Sequence, residues 1–202
     1  RLKSEVPVFA YAKISASNIT SISRLIKAGF AVVDVALTFE VEKPALDHIS
    51  DTVRLALPKD RVAVTRIAST AFQGSRFHID PLVPNNIANT IKAAWAGNYF
   101  TGNRGDGMVI AEYDGCVVGF LQLMWTKFDF LVIDLIAVDR AHQGQGVGRN
   151  MIGYAAQNGV GDGRIPAGMI VGTQVSNTHS VRLYESLGFR LVSGHYVLHF
   201  HA

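Results

Sequence analysis

One stretch constrains this chain more than any other: Leu131 to Arg149, LVIDLIAVDRAHQGQGVGR. An apolar run rich in β-branched residues breaks at Asp139-Arg140. It passes into Gln143-Gly144-Gln145-Gly146-Val147-Gly148, and helix-forming residues resume at Arg149. The order is strand, glycine loop, helix start. The first N–H groups of a helix have no carbonyl partner and the helix dipole favours negative charge there, while glycines let phosphate oxygens come close to the backbone. The stretch therefore predicts an anion site, and the ligand it fits is phosphorylated.

The elements on either side set the fold class. Met108 to Tyr113 and Cys116 to Thr126 read as two strands joined at Asp114-Gly115, a pair that accepts positive φ at both turn positions. After the glycine loop, Val147, Met151, Ile152 and Ala155 recur at helical spacing up to a stop at Asn158-Gly159. Gly168 to Gln174 reads as a strand, Asn177 to Leu187 as a helix ended by Gly188, and Arg190 to Phe200 as the last strand. Upstream, a unit starting at Thr52 gives a short strand and a turn at Pro58-Lys59. Asp60 then caps a helix carrying Val62, Val64, Ile67, Ala68 and Ala71, and a second helix runs from Asn86 to Ala96. This order of elements predicts an α/β domain with a mixed sheet.

A chain of 202 residues suits one domain, or one domain with an appended subdomain. The appended piece is residues 1–41, read as strand (Val8 to Ile14), helix (Ile19, Ile22, Leu25 and Ile26 after Ser17-Asn18, with Gly29 as stop) and strand (Phe30 to Phe39). Residues 42–51, with a proline and several charges, read as a linker, and residues 52–202 as the main domain. Ser17-Asn18 to Gly29-Phe30 has the spacing of Ser176-Asn177 to Gly188-Phe189, and Ser21 matches Ser180. Two readings stay open: a partial internal copy, or the generic look of any capped strand-helix-strand unit. In the first, Tyr184 corresponds to Leu25, so the later unit alone keeps a hydroxyl at that place.

Charge and cysteine content narrow the partners. Lys plus Arg exceed Asp plus Glu by 19 − 16 = 3, spread along the chain, which tolerates a polyanionic small molecule but provides no basic face for nucleic acid. Cys116 is the single cysteine, excluding an internal disulfide framework and fitting a reducing compartment, the cytoplasm. No run reaches the length of a membrane span and no signal peptide is read. The chain opens on Arg1 instead of Met, which leaves room for an upstream piece.

The glycine loop alone does not name a cofactor. A dinucleotide-binding unit places its loop in the first βαβ with an acid about twenty residues on, whereas this loop follows a long hairpin. A nucleotide triphosphatase would need GK[ST], which is missing. Taken with the later helix, the pattern becomes more specific. Gln143-x-x-Gly146-x-Gly148 behind Leu135-Ile136-Ala137-Val138, followed by Asn177, Leu183-Tyr184 and Leu187-Gly188-Phe189, resembles the GNAT family of acetyl-CoA-dependent N-acetyltransferases. VRLALPKDRVAVTRIASTAF and Val118-Gly119-Phe120 extend the likeness over residues 52–200, with Gln143 where arginine is commoner and Ser180 where alanine is usual. ASN at 16–18, AGF at 28–30 and ASTAFQGSRF at 68–77 look like the TDP-fucosamine (TDP-4-amino-sugar) acetyltransferase family, which carries a half-GNAT unit ahead of its catalytic domain.

The resemblance implies a GNAT acyl-CoA N-acyltransferase fold with an N-terminal partial repeat, and acetyl-CoA as co-substrate. Backbone N–H groups of Gln143, Gly144, Gln145, Gly146, Val147, Gly148 and Arg149 would hold the CoA pyrophosphate. The strand edge at Ile136, Ala137 and Val138 would pair with the pantetheine arm like an added strand. That strand would splay from Gly168 to Gln174, with the thioester in the gap. Acetyl transfer needs a neutral amine and a proton for the departing thiolate. Tyr184 is the expected general acid, and the seven-residue step from Asn177 puts both on one helix face towards CoA; a core aromatic and a plain N-cap are the structural alternatives.

Asp134, assigned the side-chain parity of Ile136, and Asp34 are the candidate bases, each also readable as a hydrogen-bonded strand carboxylate. Arg76 and Phe77 are candidate acceptor contacts. His195, His199 and His201 share a strand face without carboxylate or cysteine spacing, so no metal is expected. Cys116 is expected to pack at the hairpin, and Trp95 and Trp125 in the core. The acceptor expected is a small-molecule amine, that of a nucleotide sugar. A protein N-terminus, polyamine or other small amine is the alternative, then a non-catalytic CoA-binding module. A homodimer is expected by analogy alone.

Overall fold

The computed structural model describes residues 8–46, 52–161 and 163–202, so part of the expected linker, 47–51, lies outside the described residues. The strands are β1 (Phe9–Ser15), β2 (Ala31–Val41), β3 (Val53–Leu55), β4 (Gly107–Tyr113), β5 (Cys116–Trp125), β6 (Phe130–Val138), β7 (Gly168–Gln174) and β8 (Arg190–His201). The helices are α1 (Ile19–Lys27), α2 (Arg61–Ala71), α3 (Asn85–Gly97), α4 (Val147–Asn158) and α5 (Thr178–Ser186). These follow the sequence expectation in kind and order, but the Asp60 side chain, expected to cap α2, instead accepts from Leu57 N and pairs with Arg54. The β4–β5 turn takes φ 48° at Asp114 and 74° at Gly115, as that pair of residues predicts.

All eight strands form one mixed sheet in the order β1-β8-β2-β7-β6-β5-β4-β3. The pairing is antiparallel except between β6 and β7. The N-terminal strands are woven into this sheet: β2 lies between β7 and β8, and β1 pairs along the outer side of β8. The weave has an internal symmetry. Ala36 faces His195, and 195 − 36 = 159 is also the offset between Asn18 and Asn177. Under that offset the β1/β8 pairs map onto the β7/β2 pairs: Ala10 with Phe200 becomes Met169 with Val41, and Ser15 with His195 becomes Gln174 with Ala36. Both helices start the same way, with Asn18 Oδ1 accepting from Ser21 N at 3.1 Å and Asn177 Oδ1 from Ser180 N at 3.2 Å.

Each face of the sheet is covered. Met151, Ile152 and Ala155 of α4, with Tyr184 and Leu187 at α5, pack on Leu121, Leu131, Ile133, Met169 and Val171. Val64, Ile67 and Ala68 of α2, with Ala96 of α3, pack on Met108, Ile110, Phe120, Leu135 and Ala137. Three expectations of burial fail. Val62 is 77% exposed because the inward stripe of α2 starts at Val64. In α1, Ile22 is buried while Ile19 and Ile26 face solvent. Cys116, at the mouth of the hairpin, is exposed.

Candidate active site

A cleft exists because β6 and β7 pair over only half their length. Their ladder runs from Phe130 opposite Gly168 to Ile133 opposite Val171 and stops. Beyond it β6 continues with β5, out to Val138 opposite Gly119, and β7 continues with β2, out to Gln174 opposite Ala36. The edge of β6 at Ile136–Val138 that faces β7 is thus left without a strand partner. A cleft of about 810 Å³ opens there, walled by Ile133–Val138, Val171–Gln174, the glycine loop, α5 and the Phe72–Ser75 segment after α2.

The parting coincides with a bulge at Asp134. On β5, Gln122 pairs with Leu135 and Leu123 with Ile133, so Asp134 is an extra residue in a β-bulge. Leu131 and Ile133 face α4 whereas Leu135 and Ala137 face α2, so the bulge reverses the alternation. Asp134 therefore does not share the face of Ile136, as strict alternation predicted. It lies on the α2–α3 side, where Arg104 grips it through Nε (2.7 Å) and Nη2 (2.7 Å) and Gln122 Nε2 donates at 2.7 Å. Three short hydrogen bonds, from Arg104 and Gln122, make this carboxylate a fastener of the bulge.

The glycine loop forms one end of the cleft. Gly144 and Gly146 take φ of 76° and 81°, and a Cβ at either would meet only open space, so backbone conformation demands glycine there. The first helical bond of α4 is Asn150 N to Gly146 O, at 3.0 Å, so the N–H groups of Val147, Gly148 and Arg149 precede the ladder. Side chains around them are committed elsewhere. Gln143 Nε2 donates to Val138 O at 3.0 Å, and the Arg149 guanidinium bonds Ser186 Oγ at 2.9 Å and Ala45 O at 3.1 Å. Gln145 lines a separate, smaller hollow of about 170 Å³ beside His142 and Asn150.

Asn177 and Tyr184 both line the cleft from α5, as their seven-residue spacing requires. Tyr184 is 2% exposed, against Phe39 and Phe189. Burial pushes its phenol far above the ordinary range, so it stays protonated at any working pH.

Other expected residues stand off the cleft wall. Asp34 is buried, and burial raises its carboxyl against a Val35 hydrogen bond and the nearby charges of Arg76 and His199. Arg76 lies over the Tyr11 ring at 4.0 Å and Phe77 is buried against Trp95; the wall includes Ser75 but neither of these two. His199 and His201 do find a carboxylate, which sequence spacing could not show: Asp80 Oδ2 accepts from His199 Nδ1 at 2.6 Å and His201 Nε2 at 2.8 Å. Burial raises the Asp80 carboxyl, but those bonds and the Leu82 N–H more than offset it and hold it below the usual range. These spacings are hydrogen bonds. The three ligand atoms lie within 4.8 Å of one another, close enough to close on an ion.

Sequence reasoning missed Lys92 and Arg104, and took Trp95 for a core residue alone. Lys92 lines the cleft, buried, with its ammonium 4.7 Å from the Phe72 ring and 4.9 Å from Trp95, and Arg104 lies 4.5 Å from the same indole. Burial lowers Lys92 to about 8; Asp134 opposes this, and Arg76 and Arg104 add to it. A signal was present: Ala88, Lys92 and Ala96 form the buried i, i+4 stripe of α3, and a lysine on an apolar stripe needs a reason.

Known proteins resemble this chain at several levels. It is 28% identical over 142 residues to the spore coat polysaccharide biosynthesis protein SpsD of Bacillus subtilis, covering 70% of this chain and 48% of that protein. It is 30% identical over 90 residues to the L-methionine sulfoximine/L-methionine sulfone acetyltransferase of Salmonella typhimurium, covering 43% of this chain and 52% of that protein. The chain thus spans about half the length of these curated relatives. Among solved structures, a GCN5-related N-acetyltransferase from Sphaerobacter thermophilus superposes with a TM-score of 0.60 at 15% identity, over 98% of this chain and 61% of that one. The model of the acetyltransferase (GNAT) family matches residues 71–189, which hold the bulge, the glycine loop and Tyr184, and the chain belongs to that family.

Proposed function

We propose that this protein is an acetyl-CoA-dependent N-acetyltransferase that passes acetyl directly to a primary amine, that of a nucleotide-linked amino sugar. The observation that carries the reading is the parting of β6 from β7, with open N–H groups at one end and Tyr184 in the wall. The loop N–H groups hold the pyrophosphate, and Ile136–Val138 receive the pantetheine amides as an added strand would be received. The lone pair of a neutral amine attacks the thioester carbonyl, the C–N bond forms, and the tetrahedral intermediate collapses with loss of the C–S bond. Tyr184 donates a hydrogen bond and then its proton to the departing sulfur, and the proton shed by nitrogen restores the phenol through water. Neither Asp134 nor Asp34 stands free in the cleft to act as a direct base.

Similarity to a polysaccharide biosynthesis protein supports the sugar-linked amine. Similarity to an acetyltransferase for L-methionine sulfoximine supports a second reading, a small amino-acid-like amine. The exposed thiol of Cys116 fits a reducing compartment, and we assign the enzyme to the cytoplasm. We also infer that residues 9–41 and 168–201 are copies of one unit, supported by their matching caps and strand register. The test of function is thiol release from acetyl-CoA with a panel of TDP-amino sugars, small amines and peptides. Release with a TDP-amino sugar is expected. No release with any amine, despite CoA binding, would sink the enzyme reading, and activity on peptides alone would remove the sugar.

A further inference from the structure

Lys92 is a buried cation without a counter-ion. It is 8% exposed, packed against two aromatic rings, and among the described residues no carboxylate comes within ion-pair distance of it. The nearby acid, Asp134, already takes three hydrogen bonds, from Arg104 and Gln122. Arg76 and Arg104 add repulsion. Ring faces attract an ammonium, but less strongly than the water it has lost. Yet this residue is in the cleft wall, on the α2–α3 side of the bulge and away from the glycine loop, so whatever enters from that side meets a positive charge held in reserve.

We propose that Lys92 is a specificity determinant that selects acceptor amines carrying an anionic group, carboxylate or phosphate, close to the reacting nitrogen. This rests on the acetyltransferase reading above. The acceptor's anion supplies the counter-charge that the fold withholds, and pairing with the Lys92 ammonium fixes the amine at the β6–β7 parting, where the thioester would end. Both carboxylate and phosphate satisfy that chemistry, so the test has an arm for each.

The experiment uses the full chain and its Lys92→Met and Lys92→Arg variants; methionine keeps length and apolar contact with Phe72 and Trp95 while removing the charge. Thiol release is measured with glycine against glycinamide for the carboxylate arm, and glucosamine 6-phosphate against glucosamine for the phosphate arm. In Lys92→Met, KM for the anionic member of at least one pair should rise about 30-fold or more, while the neutral member changes within about twofold. Lys92→Arg should keep most of the preference. Equal losses for both members, or a loss confined to kcat, would overturn the proposal. If neither these amines nor a TDP-amino sugar is turned over, the acetyltransferase reading itself fails; in that case, and equally if only the TDP-amino sugar is turned over, Lys92 is judged without turnover. The pKa of its Nζ, followed by NMR, should rise in inorganic phosphate or acetate, and an unmoved titration in both anions overturns the selectivity for anions.

Discussion

Replacing Lys92 by methionine should make the protein more stable at neutral pH, and the gain should vanish in alkali. The folded structure holds the Lys92 ammonium at about 8 against an ordinary value of 10.5, chiefly by burial. That difference corresponds to about 3.5 kcal/mol at about 1.4 kcal/mol per pH unit, and the small solvent access left by 8% exposure trims it to about 3 kcal/mol. Below pH 8 the amine is protonated in both states and the whole cost applies. Between pH 8 and 10.5 the unfolded chain keeps a proton that the folded chain has shed, so unfolding takes up a proton and stability rises with pH. Above 10.5 both states are neutral and the penalty is gone. Urea unfolding of the two proteins, measured from pH 7 to 10.5, should show the variant ahead by about 2–3 kcal/mol at pH 7, with the curves converging as pH rises. In thermal scans at pH 7 the gap should be about 4–12 °C for a chain of this size. A difference that stays flat across this range, or a variant less stable at pH 7, would show that Lys92 is not held against its own charge and would remove the electrostatic basis of the acceptor argument.

Two other substitutions probe the cleft. Tyr184→Phe should lower kcat about 10²-fold with little change in CoA affinity, read by steady-state thiol release and CoA titration; unchanged turnover would mean another group protonates the sulfur. Asp134→Asn leaves Arg104 without its bidentate partner and should cost about 1–3 kcal/mol in urea unfolding, Arg104 being partly solvated; a loss under about 0.5 kcal/mol would show that the pair does not fasten the bulge.

The sequence disclosed the parts of the site whose signals are local. Alternation, turn pairs and caps located the strands, and Gly144, Gly146 and Asn177 could be placed because backbone conformation and capping depend on near neighbours. What stayed hidden depends on distant residues. Strict alternation put Asp134 on the wrong face because a bulge is a property of two paired strands, and the partner's register is not written in β6 itself. Asp80 and His199 are 119 residues apart, so their hydrogen bond has no spacing to recognise. Lys92 was the exception: its place in the Ala88–Ala96 stripe is a local signal of burial.

The weave of β2 between β7 and β8 has a consequence for how the chain reaches its native state. Strands β1 and β2 find their main partners far later in the sequence, in β8 near residue 200. Local pairings such as β4 with β5 can close early, but β1 and β2 have to wait until β8 has been made. During that wait β2 is an unpaired, largely apolar strand, the kind of edge that associates with other chains. Refolding should accordingly show a late step in which β1 and β2 interlock with β8, and truncation within β8 would strand those two strands along with it.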